Sequence, residues 1–113
     1  METGVQCVLI GVDHGSLVID TATILSAKAE GGYSRIRLTD GKEHLVCWNL
    51  GRLQAALPDG AFYRCHDSWV VNLRVVVRLH NHDGHEAELS DRTRVPVSRR
   101  RYTGFVAMLR GGG

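Results

Sequence analysis

Three consecutive arginines, Arg99-Arg100-Arg101, follow Ser98 at the point where a strand-like run gives way to a helix-like one. Cations in the first turn of a helix oppose its macrodipole by about a few tenths of a kcal/mol each, so a triplet there calls for an offsetting role. A guanidinium can donate two bonds to guanine O6 and N7 or clamp a phosphate, and Ser98 with the free N–H groups of a helix start can hold a phosphate beside it. A second cluster, His80-Asn81-His82-Asp83-Gly84-His85, contains ligand types that zinc accepts. The ligand order does not fit a metallohydrolase, the chain is too short for such a fold, and Asp83-Gly84 suits a hairpin turn. No metal and no other cofactor is therefore expected. His66, Ser68 and Asn72 set a base, a nucleophile and an amide close together in sequence. No acid partner at triad geometry can be inferred for them, so they read as turn-stabilising hydrogen-bonding groups in a protein that is not an enzyme.

The elements that must position these residues are mostly short strands. Val5 to Val12, Leu17 to Ile19, Thr23 to Ala29, Tyr33 to Leu38 and Glu43 to Trp48 are apolar or alternating runs, separated by Asp13-His14-Gly15-Ser16, Glu30-Gly31-Gly32 and Asp40-Gly41. Antiparallel meanders have this grammar. A helix is expected between Asn49 and Leu57, with Asn49 as N-cap, Leu50, Leu53 and Leu57 at helical spacing, and Pro58 and Gly60 as stops. Strands resume at Phe62 to Arg64, Leu73 to Leu79, Glu86 to Leu89 and Thr93 to Val97, while Trp69, Val70 and Val71 read as core or as an apolar wall beneath a turn. A last helix starts from Ser98 as N-cap, carries Tyr102, Phe105, Val106 and Leu109 on one face, and frays at Gly111-Gly112-Gly113.

At 113 residues, with 43% hydrophobic and 23% charged residues, the chain suits one folded domain spanning 1–113 rather than a disordered tail. Its longest apolar stretches, such as Val8 to Ile10 and Val75 to Val77, fall far short of the roughly 20 residues of a membrane span. No signal peptide is visible at Met1-Glu2-Thr3-Gly4, so a cytoplasmic location is expected. Cys7, Cys47 and Cys65 are odd in number and widely spaced, which argues for reduced thiols. The net charge is only +2, but its distribution is uneven. Residues 1–60 hold five Lys/Arg against seven Asp/Glu, and residues 61–113 hold nine against five, so a basic surplus surrounds the arginine triplet. Clustered charge of this kind can bind phosphates despite a nearly neutral total.

The segment Phe62-Tyr63-Arg64-Cys65-His66-Asp67-Ser68-Trp69-Val70-Val71-Asn72 resembles the signature of the LytTR family of DNA-binding domains, in which Phe, Arg, His, Ser, Val and Asn recur at these relative positions. Val95-Pro96-Val97-Ser98-Arg99 is similar to that family's junction between its last strand and last helix. Gly32-Tyr33 before a strand, Asp40-Gly41 in a turn and a leucine-bearing helix ahead of Phe62 extend the likeness over about residues 5–109.

The resemblance implies a mainly β fold, an elongated arrangement of small antiparallel sheets with two short helices. It also implies a sequence-specific transcription regulator that contacts promoter duplex DNA through loops and through the junction at Ser98-Arg101. On that pattern Arg99 faces the major groove, Arg100 and Arg101 hold phosphates, and Tyr33 and Ser34 present a loop to DNA. Asp67 departs from the family, which usually has Arg, Lys or Asn there, and a carboxylate is repelled by phosphates or at best accepts from cytosine N4. Family members often bind direct repeats as two copies on one DNA face, and commonly carry a signal-input domain that is absent from this sequence. The alternative is a LytTR-like interaction module, an antiregulator with weak DNA binding, which Asp67 and the modest net charge both motivate.

Overall fold

The computed structural model describes residues 6–111. Val5, expected to open the first strand, and Gly112 and Gly113 lie outside them. Among the described residues ten strands form three antiparallel sheets, accompanied by two helices, in a body of 42 × 39 × 23 Å. The central sheet has the order β5-β4-β3-β7-β6, built from β3 (Ile24–Glu30), β4 (Tyr33–Leu38), β5 (Glu43–Val46), β6 (Phe62–His66) and β7 (Trp69–Asn72). A hairpin of β1 (Cys7–Val12) and β2 (Gly15–Asp20) stands apart, as does a three-stranded sheet of β8 (Val76–His80), β9 (His85–Leu89) and β10 (Arg94–Val97).

Two apolar cores lie on opposite faces of the central sheet. Ile24, Ala27, Ile36, Val46 and Val70 face α1 (Leu50–Ala56) and the β1–β2 hairpin, and pack with Ile10, Ile19, Leu50 and Leu53. Leu25, Cys65 and Val71 face the small sheet and α2 (Arg99–Gly111), and pack with Ala87, Leu89, Val95 and Phe105. Strand β3 is buried from Ile24 through Ala27, because it pairs with β4 on one edge and β7 on the other and is covered on both faces.

The same double burial explains the one strand that alternation does not reveal. Trp69-Val70-Val71-Asn72 is β7, paired to β3 at Ala27↔Val70 and to β6 at Tyr63↔Val71, so Val70 and Val71 are core, the first of the two readings, and not an apolar wall under a turn. Nor is Leu73 to Leu79 one strand. Leu73–Val75 is a 3₁₀ turn where the chain leaves the central sheet, and β8 begins only at Val76. Asn72 makes that corner: its Oδ1 accepts from Arg74 N at 3.0 Å and its Nδ2 donates to the Ile24 carbonyl at 3.0 Å. Asp20 does the same at the other corner, accepting from Ala22 N at 3.0 Å ahead of the 3₁₀ turn Thr21–Thr23.

Asn49 caps α1 as expected, its Oδ1 accepting from Arg52 N at 2.8 Å, although Leu57 already lies in extended backbone beyond the last turn. In α2, Phe105 is fully buried while Tyr102 and Leu109 flank it. Val106 stands outside that cluster, and the helix runs on through Gly111 instead of fraying there. Tyr63 stacks on Phe105 with ring centroids 5.7 Å apart, and its hydroxyl rests where a Cβ on Gly104 would stand. The glycine thus admits β6 close to the helix. Gly104→Ala should therefore lower stability despite a helix-propensity gain of about 1 kcal/mol. In a Tyr63→Phe background the ring carbon is 3.6 Å from the new methyl, so the same substitution should become stabilising, a reversal that urea unfolding of the double-mutant cycle will read.

Candidate nucleic-acid interface

One end of the central sheet gathers the residues singled out from the sequence. Register places the β3–β4 turn at Gly31-Gly32 and the β6–β7 turn at Asp67-Ser68 at the same end, and Ala29 N donates to the Ser68 carbonyl at 2.8 Å. The strand-to-helix junction arrives there because Ser98 N donates to the Cys65 carbonyl at 2.9 Å. Within the β6–β7 turn, His66 Nδ1 accepts from Ser68 N at 3.0 Å, the turn-stabilising role expected of it.

Asp67 is the hub of this end. Its Oδ1 accepts from Arg100 Nη2 at 3.0 Å and from Arg101 Nη2 at 3.1 Å. Arg64, which sequence reasoning left without a role although it lies inside the motif, donates to the backbone carbonyls of His66 and Asp67, and its own carbonyl accepts from Arg101 Nη1 at 3.5 Å. The hydrogen bond from Arg101, then the charge of Arg100, holds the Asp67 carboxyl below its ordinary range. Asp67 thus neutralises part of the triplet rather than standing as an isolated negative charge. Its side chain is 69% exposed and that of Arg100 73%, so that pair contributes little to stability and a phosphate can compete for Arg100, whereas Arg101 is only 31% exposed and its Nε is buried. Arg99 is exposed and makes no side-chain hydrogen bond or ion pair among the described residues.

Two expected contacts are corrected. Ser34 is not in a loop: it belongs to β4, is fully buried, and its hydroxyl donates to the Trp48 carbonyl at 2.8 Å, so it cannot meet DNA. Ser98 precedes α2 as predicted, yet its hydroxyl is buried without a hydrogen-bond partner and is not offered to a phosphate. Its carbonyl, which accepts from Arg101 N at 3.1 Å, closes the first turn instead. Tyr33 opens β4 rather than lying in a loop before it, and is 49% exposed at the gathered end.

The histidine string is dispersed. His80 Nε2 meets Glu88 at 2.6 Å, His85 Nδ1 meets Asn81 at 2.8 Å while its ring stacks on Tyr102, and Asp83 and Gly84 turn the chain with φ of 58° and 110°. No group of three metal-ligating side chains converges among the described residues. Burial pushes the Cys65 thiol up to about 12, which keeps it protonated and unreactive at neutral pH.

The family described as the LytTr DNA-binding domain matches residues 14–110, spanning every element from the β1–β2 turn to the end of α2. This chain belongs to the LytTR family. The LytTr DNA-binding domain of a Bacillus cereus protein, described as a methyl-accepting/DNA response regulator, superposes with a TM-score of 0.78 at 20% identity, covering 95% of this chain and 99% of that one. The likeness establishes the LytTR fold: three small antiparallel sheets and two helices. The sensory transduction protein LytT of Bacillus subtilis (strain 168) is 26% identical over 100 residues, which are 87% of this chain. This LytTR chain spans 41% of the length of that relative. No helix among the described residues is long and apolar enough to cross a membrane.

The Asp67 clamp has a measurable titration. A carboxyl lowered on folding contributes stability that is present above its unfolded value and is lost as pH falls through its folded value. The Asp67 carboxyl resonance should titrate below the ordinary aspartate range, and Arg101→Ala should raise that midpoint more than Arg100→Ala does. Equal shifts would show that the Arg101 hydrogen bond is not the dominant cause.

Proposed function

We propose that this LytTR domain is a sequence-specific transcription regulator module that reads promoter duplex DNA with the gathered end of its central sheet. The reading is carried by one observation: at the strand-to-helix junction Arg99 is exposed and unpaired among the described residues, beside two arginines that share an exposed carboxylate, Arg101 reaching the Arg64 carbonyl as well. In this scheme Arg99 donates two bonds to a guanine edge, Arg100 and Arg101 exchange Asp67 for phosphates, and Tyr33 approaches the backbone from the start of β4. By analogy with the sensory transduction protein LytT, the module serves signal transduction; the family resemblance adds a covalently linked or separate input domain and binding to DNA as more than one copy.

A selection from genomic fragments supplies the site, and titrations on specific and scrambled duplexes then test the residues. Arg99→Ala should cost about 1–3 kcal/mol on the specific duplex and relax preference at one base pair. If Arg99 only touches phosphate, affinity will instead fall alike on both duplexes and the slope of log affinity against log salt will shrink by about one. Full binding by Arg99→Ala to both duplexes, or no enriched fragment at moderate salt, would favour an antiregulator that pairs with another protein.

Asp67→Asn gives an independent reading. Freed from the carboxylate, Arg100 and Arg101 should tighten binding on every duplex and steepen the salt dependence. Weaker binding on the specific duplex alone would mean that Asp67 accepts from a cytosine.

A further inference from the structure

Strand β6 loses its regular pairing with β7 between Tyr63 and His66, so Arg64 and Cys65 have no partner in the register. Their carbonyls turn to the start of α2 instead. That of Cys65 accepts from Ser98 N at 2.9 Å, and that of Arg64 accepts from Arg101 Nη1 at 3.5 Å. An irregularity of this kind re-aims the backbone at one place in a strand, and here it ties β6 to the first turn of the helix.

The Arg64 side chain, half-buried, reaches the β6–β7 turn. Its Nε donates to the His66 carbonyl at 3.3 Å and to the Asp67 carbonyl at 3.2 Å, and its Nη2 donates to the Asp67 carbonyl as well. A planar guanidinium can brace two carbonyls because its donors are fixed in one fork, whereas a lysine ammonium on a flexible stem cannot. With His66 Nδ1 accepting from Ser68 N at 3.0 Å, two side chains of β6 fix the turn between them. The Nε–Nη2 edge, one of the two with which an arginine grips a phosphate, is thereby filled.

We infer, on the DNA reading proposed above, that Arg64 is a positioning residue: through the β6–β7 turn it sets Asp67 against Arg100 and Arg101, and it makes no contact of its own with DNA. The Asp67 carboxylate is exposed, so its place follows from its backbone and not from packing around it. Arg64 anchors that backbone. A single oxygen, Oδ1, accepts from both arginines, at 3.0 and 3.1 Å, so a small displacement of the turn weakens both bonds together. The groups that depress the Asp67 carboxyl are led by the Arg101 hydrogen bond and the Arg100 charge, and Arg64 is not among them. A change in that carboxyl on altering Arg64 therefore reports a moved turn.

Arg64→Lys keeps the charge and removes the fork. Without DNA, this variant should raise the Asp67 carboxyl midpoint towards the ordinary aspartate range, whereas a residue needed only for folding would lower the melting temperature and leave that midpoint in place. On a random duplex Arg64→Lys should bind several-fold tighter, because Arg100 and Arg101 are released from Asp67. In an Asp67→Asn background the same substitution should change affinity no further, since both act on one contact. A phosphate contact gives the opposite pattern: Arg64→Lys binds like the wild type, and Arg64→Gln flattens the slope of log affinity against log salt by about one. That pattern overturns the proposal, as does an Asp67 midpoint that Arg64→Lys leaves unmoved. Unchanged amide dispersion is the folding control, and Arg64→Gln carries the same carboxyl titration should the lysine variant fail it. If the wild type binds no duplex, the DNA reading fails by itself, and the titration alone decides whether Arg64 positions Asp67.

Discussion

Strand β3 has no face to give to solvent over Ile24 to Ala27, and the rest of the molecule is arranged around that constraint. Its backbone groups are paired on both edges by β4 and β7, so its side chains need cover above and below. The β1–β2 hairpin and α1 supply one cover, the small sheet and α2 the other. The chain must therefore cross from layer to layer, and it does so at corners closed by Asp20 and Asn72. The buried Asn72 amide reaches back to the Ile24 carbonyl at the start of β3, so the second crossing is tied to the strand it helps to cover. Losing such a buried partner would leave a backbone acceptor dry.

Most of this arrangement was legible where local chemistry decides structure. Asn49 announced its helix, Asp83-Gly84 its turn, and Tyr33 to Leu38 its strand, because each signal acts within a few residues. What escaped depends on partners distant in sequence. Trp69 to Asn72 does not alternate because both sides are covered, and periodicity registers only half-buried strands. Ser34 looked like a polar loop residue, but a small hydroxyl can be buried when a carbonyl such as that of Trp48 awaits it. Ser98 was placed correctly along the chain and wrongly in orientation, since the Cys65 carbonyl that draws its N–H inward lies 33 residues upstream.

Asp67 was the least legible residue of the candidate site. By type it is an intruder among phosphate-seeking groups, and repulsion was the natural reading. In the fold its carboxylate accepts from two guanidiniums of the first turn of α2, and its backbone carbonyl from a third, Arg64 of β6. The arginines of that turn oppose the helix dipole, and Asp67 offsets part of the cost with the negative charge that a helix start prefers. The carboxylate and the triplet are therefore one electrostatic unit.

That unit bears on how a DNA-reading protein searches. A carboxylate clasped by two arginines is an internal stand-in for a phosphate, and any stretch of duplex must displace it before those arginines can grip. On the proposed DNA reading, that cost falls on promoter and random sequence alike, because both meet the two arginines through phosphates. Such a common cost shortens residence on every site alike, and leaves the ratio of specific to nonspecific affinity to be set by base contacts.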